Sequence, residues 1–420
     1  MTASEGSTPR LTARTRAVDS APSLVPYLEA SSPLLFVRRG EGVAGVGEAL
    51  RLEFSGVDRI AQAAEAWRRI SAAATIDDPV GQAGSGLVAF GAFTFSEDSR
   101  YASTLIVPRT IIGHRNGVSW ITHVAVDGDD SAAVQPVARP MGSEFRLSLL
   151  PGAITGERYR EIVATAVERI QAGELRKVVL ARDLAGRMPA GGDIRRVLVD
   201  LALGYPDTWT FAVDGHIGSS PETLVRASRG KVSARVLAGS IARGADAESD
   251  KAAALRLATS TKDIDEHRYA VQSVLTALAP HAAEGDGRGI TSSEIPFTLK
   301  LPNLWHLATN IEGTLSDSSS VLDLAAALHP TAAVAGTPTD GAVALIRELE
   351  QMDRGRYGGP VGWVDANGDG KWALSLRSAE IDADGGIRAF AGAGILAQSD
   401  PDAELAETKL KFRPIVDAFG

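Results

Sequence analysis

Apolar residues recur along this chain in two rhythms that change near its middle. From Leu24 to about Leu147, short apolar runs alternate with Gly, Asp and Ser: Pro33-Leu-Leu-Phe-Val, Gly86-Leu-Val-Ala-Phe-Gly, Thr104-Leu-Ile-Val-Pro and Val118-Ser-Trp-Ile-Thr-His-Val. Runs of this length bounded by turn formers predict strands, and a helical stripe from Gly56 to Ala74 interrupts them. A helical reading of residues 91–125 is the weaker rival. The polar Asp/Ala/Pro stretch from Asp127 to Glu144 predicts a connection to the second half.

The second half alternates longer helices with strands. Tyr159, Ile162, Val163, Ala166, Val167 and Ile170 form the stripe of a helix from Thr155, stopped by Gly173. A strand follows in Lys177-Val-Val-Leu-Ala-Arg182, where Lys177 shares a face with Val179 and Ala181, so an amine stands on an apolar surface. A further helix is predicted from Ala245 to Ala279. Val361-Gly-Trp-Val-Asp365 and Lys371-Trp-Ala-Leu-Ser-Leu-Arg377 read as a hairpin around Asn367-Gly-Asp-Gly370. After Ser399-Asp400-Pro401 a last helix starts, with Glu404 and Glu407 on one face and Lys411 one turn beyond.

Composition narrows the chemistry. The chain has 420 residues, 44% of them apolar, and a mean hydropathy near zero, so it can bury a large core. No run of eighteen apolar residues and no charged-then-apolar leader occurs, which leads us to expect a cytoplasmic protein without membrane association. Residues 1–12 read as a flexible tail entering a first strand near Leu11. The absence of cysteine excludes disulfides, a thiolate nucleophile and Cys-ligated metals. Seven scattered histidines without an H-x-x-x-H pair leave oxygen-ligated metals, and a net charge of −9 argues against nucleic-acid partners.

Glu404 and Glu407 are then candidates for Mg²⁺, which takes one or two protein carboxylates and an anionic substrate; a solvated face with a Glu407–Lys411 pair is the plainer alternative. Gly392-Ala-Gly394-Ile-Leu-Ala397 fits a dinucleotide-binding fingerprint, but Ser-Asp-Pro follows it where that motif needs a helix. Close approach of its backbone to an anion is the better reading. Asp365-x-Asn367-x-Asp369-Gly370 opens like a calcium loop, yet Leu376 holds the position that needs a bidentate Glu.

Taken together, Gly173-Glu-Leu-Arg-Lys177-Val-Val-Leu-Ala-Arg182, Ser220-Pro-Glu222, Leu237-Ala-Gly-Ser240, Lys262-Asp-Ile-Asp-Glu266-His267, Leu304-Trp-His306-Leu, His329-Pro-Thr-Ala-Ala-Val-Ala-Gly336, Tyr357-Gly-Gly, Arg377 and the terminal glycine–glutamate segment resemble the chorismate-utilising enzymes. The resemblance covers roughly residues 85–420. It implies an α/β (α+β) fold, two large antiparallel sheets in a sandwich with peripheral helices, in a single domain over 13–420 with a strand-rich half to about 150.

The resemblance also implies roles. Lys at position 177, where ammonia-adding members have Gln, implies water as nucleophile, with Lys177 its base; desolvation on an apolar face favours the neutral amine. Glu222 matches the general acid. Glu266, Glu404 and Glu407 match the Mg²⁺ ligands, with Asp263 an outer partner. Leu237 matches a residue packing beside the nucleophilic water; Ser240, His306, Tyr357, Arg377, Lys411 and the Gly392 and Gly394 backbone match substrate contacts. Ala333 stands where salicylate synthases tend to carry a hydroxyl. The implied activity is that of an isochorismate synthase, a Mg²⁺-dependent isomerase of chorismate, with salicylate synthase the alternative; a non-catalytic chorismate-binding paralogue and a nicotinamide oxidoreductase rank lower. The expected state is a monomer without an amidotransferase subunit.

Overall fold

Strands that read as uninterrupted apolar runs are buried along their whole length, as in Val88–Ala92 and Ser103–Val107, because both of their faces are covered. The computed structural model describes residues 8–19, 23–127, 135–283, 289–300, 304–316 and 319–420, apart from the side chains of Ser240, Lys262, Glu266 and Leu304. Among the described residues the strands assemble into a thirteen-stranded and a ten-stranded sheet with helices around them.

In the larger sheet Lys177–Arg187 lies against Gly386–Ile395, followed by Ser378–Ile381, His216–Ser220, Trp209–Val213 and Leu34–Arg38. In the smaller, Leu304–Thr314, Lys231–Ala242, Thr223–Ser228, Gly370–Leu374, Pro360–Asp365 and Val88–Ala92 follow one another. Strands from both halves of the sequence therefore share both sheets. The pairing is antiparallel except for Leu11–Val18 with Thr75–Asp77, the one parallel pair among the described residues. No helix occurs within 91–125, which holds Ser103–Val107, Thr110–Arg115 and most of Val118–Val126.

Two predicted elements need correction. The helix expected over Ala245 to Ala279 is two helices, Ala247–Thr259 and Thr261–Leu278. Ser260 breaks the run because its side chain takes the Asp263 amide as an N-cap, a local bond that competes with helix continuation. The second strand of the hairpin is Gly370–Leu374 and stops short of Arg377, whose φ of 50° takes the chain out of the strand. The last helix, Pro401–Phe419, starts as its sequence demands: Asp400 accepts the Ala403 amide and Pro401 occupies the first turn.

The larger hydrophobic cluster contains Phe36, Phe90, Phe93, Phe211, Trp120 and Trp372, all essentially inaccessible to water. Each such phenylalanine stabilises the fold by roughly 1.5–3 kcal/mol. No helix among the described residues is long and apolar enough to cross a membrane.

Candidate active site

A cavity of about 990 Å³ opens between the two sheets and the last helix. Ser219 and Trp209 line it from the larger sheet, Thr223 and Leu237 from the smaller, Thr208 and Glu222 from the turns beside those strands, and Glu407, Leu410, Lys411 and Pro414 from the helix. The helix residues recur at intervals of three and four, so one face of Pro401–Phe419 forms a wall.

Glu222 is held by its backbone rather than by a helix. Its N–H donates to Ser220 Oγ at 3.2 Å, the Ser220 hydroxyl donates to the Leu374 carbonyl at 2.5 Å, and its own carbonyl accepts the Leu374 amide at 3.1 Å. The turn between His216–Ser220 and Thr223–Ser228 thus aims the carboxyl into the cavity, and a first-turn helical role does not apply. Burial pushes its pKa to about 7, although the positive charges of Lys177, Arg377 and Lys411 oppose the shift. The side chain keeps some solvent access through the cavity while protein surrounds it; desolvation therefore dominates.

Lys177 begins the strand whose residues Val178 to Arg187 register against Ile395 to Gly386. A buried pair, Glu350 and Arg354, fixes this strand: the carboxylate accepts the Ala181 amide at 2.7 Å, while the guanidinium donates to the Val179 carbonyl at 2.7 Å and to Val334 at 3.0 Å. Removing either partner would leave an uncompensated buried charge, a loss of roughly 3–5 kcal/mol. Gly394 makes room for the lysine, since a Cβ there would stand 2.9 Å from Lys177 Cε. Asp183 is taken by Arg388 at 3.2 Å.

Arg377 lines the cavity, and no carboxylate among the described residues pairs with it within salt-bridge distance. Glu380, a conceivable cross-strand partner, is held instead by His216 and Arg356. Tyr357 is buried, stacks on Phe390 at 5.5 Å, and its hydroxyl bonds the Gly392 backbone. The Gly392 carbonyl accepts Lys411 Nζ at 2.9 Å, and Lys411 also pairs with Glu407 at 2.5 Å. The glycine segment is therefore part of a strand whose missing side chains admit Tyr357 and Lys177.

His306 is half-buried and neutral: desolvation takes its pKa to about 4, with Lys411 and Arg377 reinforcing the shift, and Nδ1 donates to the Gly239 carbonyl at 3.3 Å. Leu237 lines the cavity, just before a bulge at Gly239 (φ 77°). Ala333 is half-buried against the larger core and is not among the lining residues. The side chains of Ser240 and Glu266 lie outside the described residues; Ser240 pairs with His306 by backbone, and Glu266 stands in the helix Thr261–Leu278 beside Asp263, which abuts Gly239.

Of the two helix glutamates, Glu404 accepts the Ser399 hydroxyl at 2.6 Å, and burial together with the Glu407 charge raises its pKa. Burial alone would raise Glu407 as well, but Lys411, Arg377 and His306 bring it below the usual range. No group of three acidic or histidine side chains suited to a metal occurs among the described residues, a set that leaves out the Glu266 side chain. Trp209, Thr208 and the Glu350–Arg354 pair were not singled out from sequence. The i,i+4 spacing of Glu350 and Arg354 was the one available signal, and an exposed helical pair gives the same signal.

The family profile for chorismate binding enzymes matches residues 31–420. The isochorismate synthase DhbC of Bacillus subtilis (strain 168) is 40% identical over 276 residues, 63% of this chain and 68% of the relative. The salicylate biosynthesis isochorismate synthase of Pseudomonas aeruginosa is 33% identical over 397 residues, covering 89% and 82%. The solved structure of MenF, the menaquinone-specific isochorismate synthase of Escherichia coli, superposes with a TM-score of 0.77 at 21% identity, over 97% of this chain and 95% of that one, a likeness of fold.

Proposed function

The chain belongs to the chorismate-binding enzymes, and from that premise we propose that it is an isochorismate synthase, converting chorismate reversibly into isochorismate. The observation that carries this reading is the pairing of a carboxyl poised near neutrality, Glu222, with a lysine close enough to act on it electrostatically, at a cavity with an unpaired arginine. Water adds at C2 of the ring while the C4 hydroxyl departs. Lys177 takes the proton the water loses; Glu222, protonated in much of the population near pH 7, gives a proton to the leaving oxygen. In the return direction the two exchange tasks.

Arg377 suits the enolpyruvyl carboxylate because its planar fork binds bidentately. Tyr357 and Lys411 support that end, and Leu237 keeps the water's surroundings apolar. Glu404, Glu407 and Glu266 would hold Mg²⁺. Glu404 fits that task because it is a half-buried carboxylate beside another, a neighbourhood a cation relieves. When bound, Mg²⁺ would fix the ring carboxylate and draw electron density from the ring.

Incubating the purified chain with chorismate and Mg²⁺ and resolving the products tests the reading. Isochorismate without pyruvate is the expected outcome. Salicylate with pyruvate would assign the chain to salicylate synthases, against Ala333, and no turnover would leave a binding paralogue.

A further inference from the structure

A second group of cations, away from Glu222 and the helix glutamates, has no part in that chemistry. Arg38, Arg39, Arg115 and Lys371, with Trp209 and Glu41, line a smaller cavity of about 520 Å³ that shares Arg38, Arg39, Trp209 and Lys371 with the main one. Arg226 lies opposite Lys371 in the strand register, which sets two like charges against each other. Lys371 Nζ sits 4.2 Å from the Trp209 ring centre and the Arg38 guanidinium 5.3 Å from it.

Among the described residues, neither Arg38, Arg115, Arg226 nor Lys371 pairs with a carboxylate, and Arg38 Nε is buried without a hydrogen-bond partner. The nearby acids leave these four without an ion pair: Asp207 pairs with Arg39 at 2.6 Å, and Glu41, which lines the cavity and partly offsets the repulsion on Arg115 and Lys371, accepts the Asn116 amide at 2.9 Å. Burial, then the neighbouring arginines, lowers Lys371 to about 7, and burial likewise lowers Arg38 and Arg115.

Three mutually repelling, partly desolvated cations, Arg38, Arg115 and Lys371, with the exposed Arg226 beside Lys371, are on a chain of net charge −9 an arrangement that costs free energy unless an anion completes it. Steering a substrate from a distance would call for exposed charges, which keep their hydration. We propose that this cavity is a second anion-binding site, adjoining the substrate cleft, for a compact polyanion with at least two negative charges. Phosphate-type and polycarboxylate ligands share that chemistry.

Calorimetric titration of the purified chain in buffer freed of metal by a chelating resin, with pyrophosphate in one arm and citrate in the other, tests the site and distinguishes the two classes. Saturable binding of either, weakened about tenfold or more in both Arg115→Gln and Lys371→Met but unchanged in Arg377→Gln, is the expected result. Loss in Arg377→Gln with retention in the other two would place the anion in the substrate cleft and overturn the proposal. No binding of either ligand up to on the order of 10 mM would overturn it too. Using two variants from different strands keeps the test decisive should one fail to fold, and the outcome is independent of whether the chain turns over chorismate.

Discussion

Glu222 and Glu380 flank the same strand, His216–Ser220, and the protein treats them in opposite ways. Glu380 is 3% exposed, with His216 Nδ1 at 3.1 Å, off good hydrogen-bond alignment, and the Arg356 guanidinium at 3.3 Å; burial would raise its pKa, but these touching partners lower it. Glu222 feels three cations as well, yet none forms an ion pair with it within salt-bridge distance among the described residues, and its pKa rises to about 7. Burial alone does not set proton affinity. Contact distance decides, because Coulomb attraction outweighs desolvation only when the partner touches. One carboxylate is thereby a structural anion and the other an exchangeable acid.

The strongest way to break the comparison is at the reacting groups. Glu222→Gln, which keeps shape but has no suitable proton to give, should lower turnover in both directions by on the order of 10²–10⁴-fold while chorismate still binds. Lys177→Ala should lower it similarly. Product assays in each direction, with a binding titration beside them, check both variants.

Glu380→Gln should do the reverse, removing the carboxylate that faces His216 and one of the two on Arg356, the other being Asp214 at 2.5 Å. A loss of about 1–3 kcal/mol in denaturant unfolding is expected, with kcat of the folded fraction little changed. A kcat loss as large as that of Glu222→Gln would erase the distinction.

Stability against pH sharpens it. A carboxyl whose folded pKa lies above its unfolded value contributes stability that is present below the unfolded pKa, ordinarily about 4.5, and is lost as pH rises through about 7. Glu222→Gln should therefore leave stability near pH 4 unchanged and raise it by up to about 3 kcal/mol at pH 8.5. Unfolding midpoints at the two pH values measure the difference. The smallest effect is on the rate profile: forward kcat/KM should fall about tenfold per pH unit above about 7, and that limb should vanish in the residual activity of Glu222→Gln.

Much of this was legible in the chain itself. The runs around Phe36, Phe90 and Ile106 are strands because alternation and apolar length are local signals, and Asp400-Pro401 announces its helix for the same reason. The break at Ser260 was not legible, since a serine inside a long helical stripe becomes a cap only when tertiary packing turns the next helix. Lys177 and Glu222 were recognisable through motif order alone; neither spacing nor composition says that residues 45 apart come close enough to act on each other electrostatically. Trp209, Arg115 and Lys371 carry no motif at all, and only the packing of one sheet on the other gathers them.

That register has a consequence in time. Val178 finds its strand partner in Ile395, 217 positions later. At a synthesis rate of roughly 5–20 residues per second, the strand bearing the base waits about 10–40 s for its neighbour to emerge. Throughout that interval an apolar strand edge stands open to any other chain. Catalytic competence is therefore among the last properties this molecule acquires, and the nascent chain most needs a chaperone over Lys177–Arg187 before the glycine strand arrives.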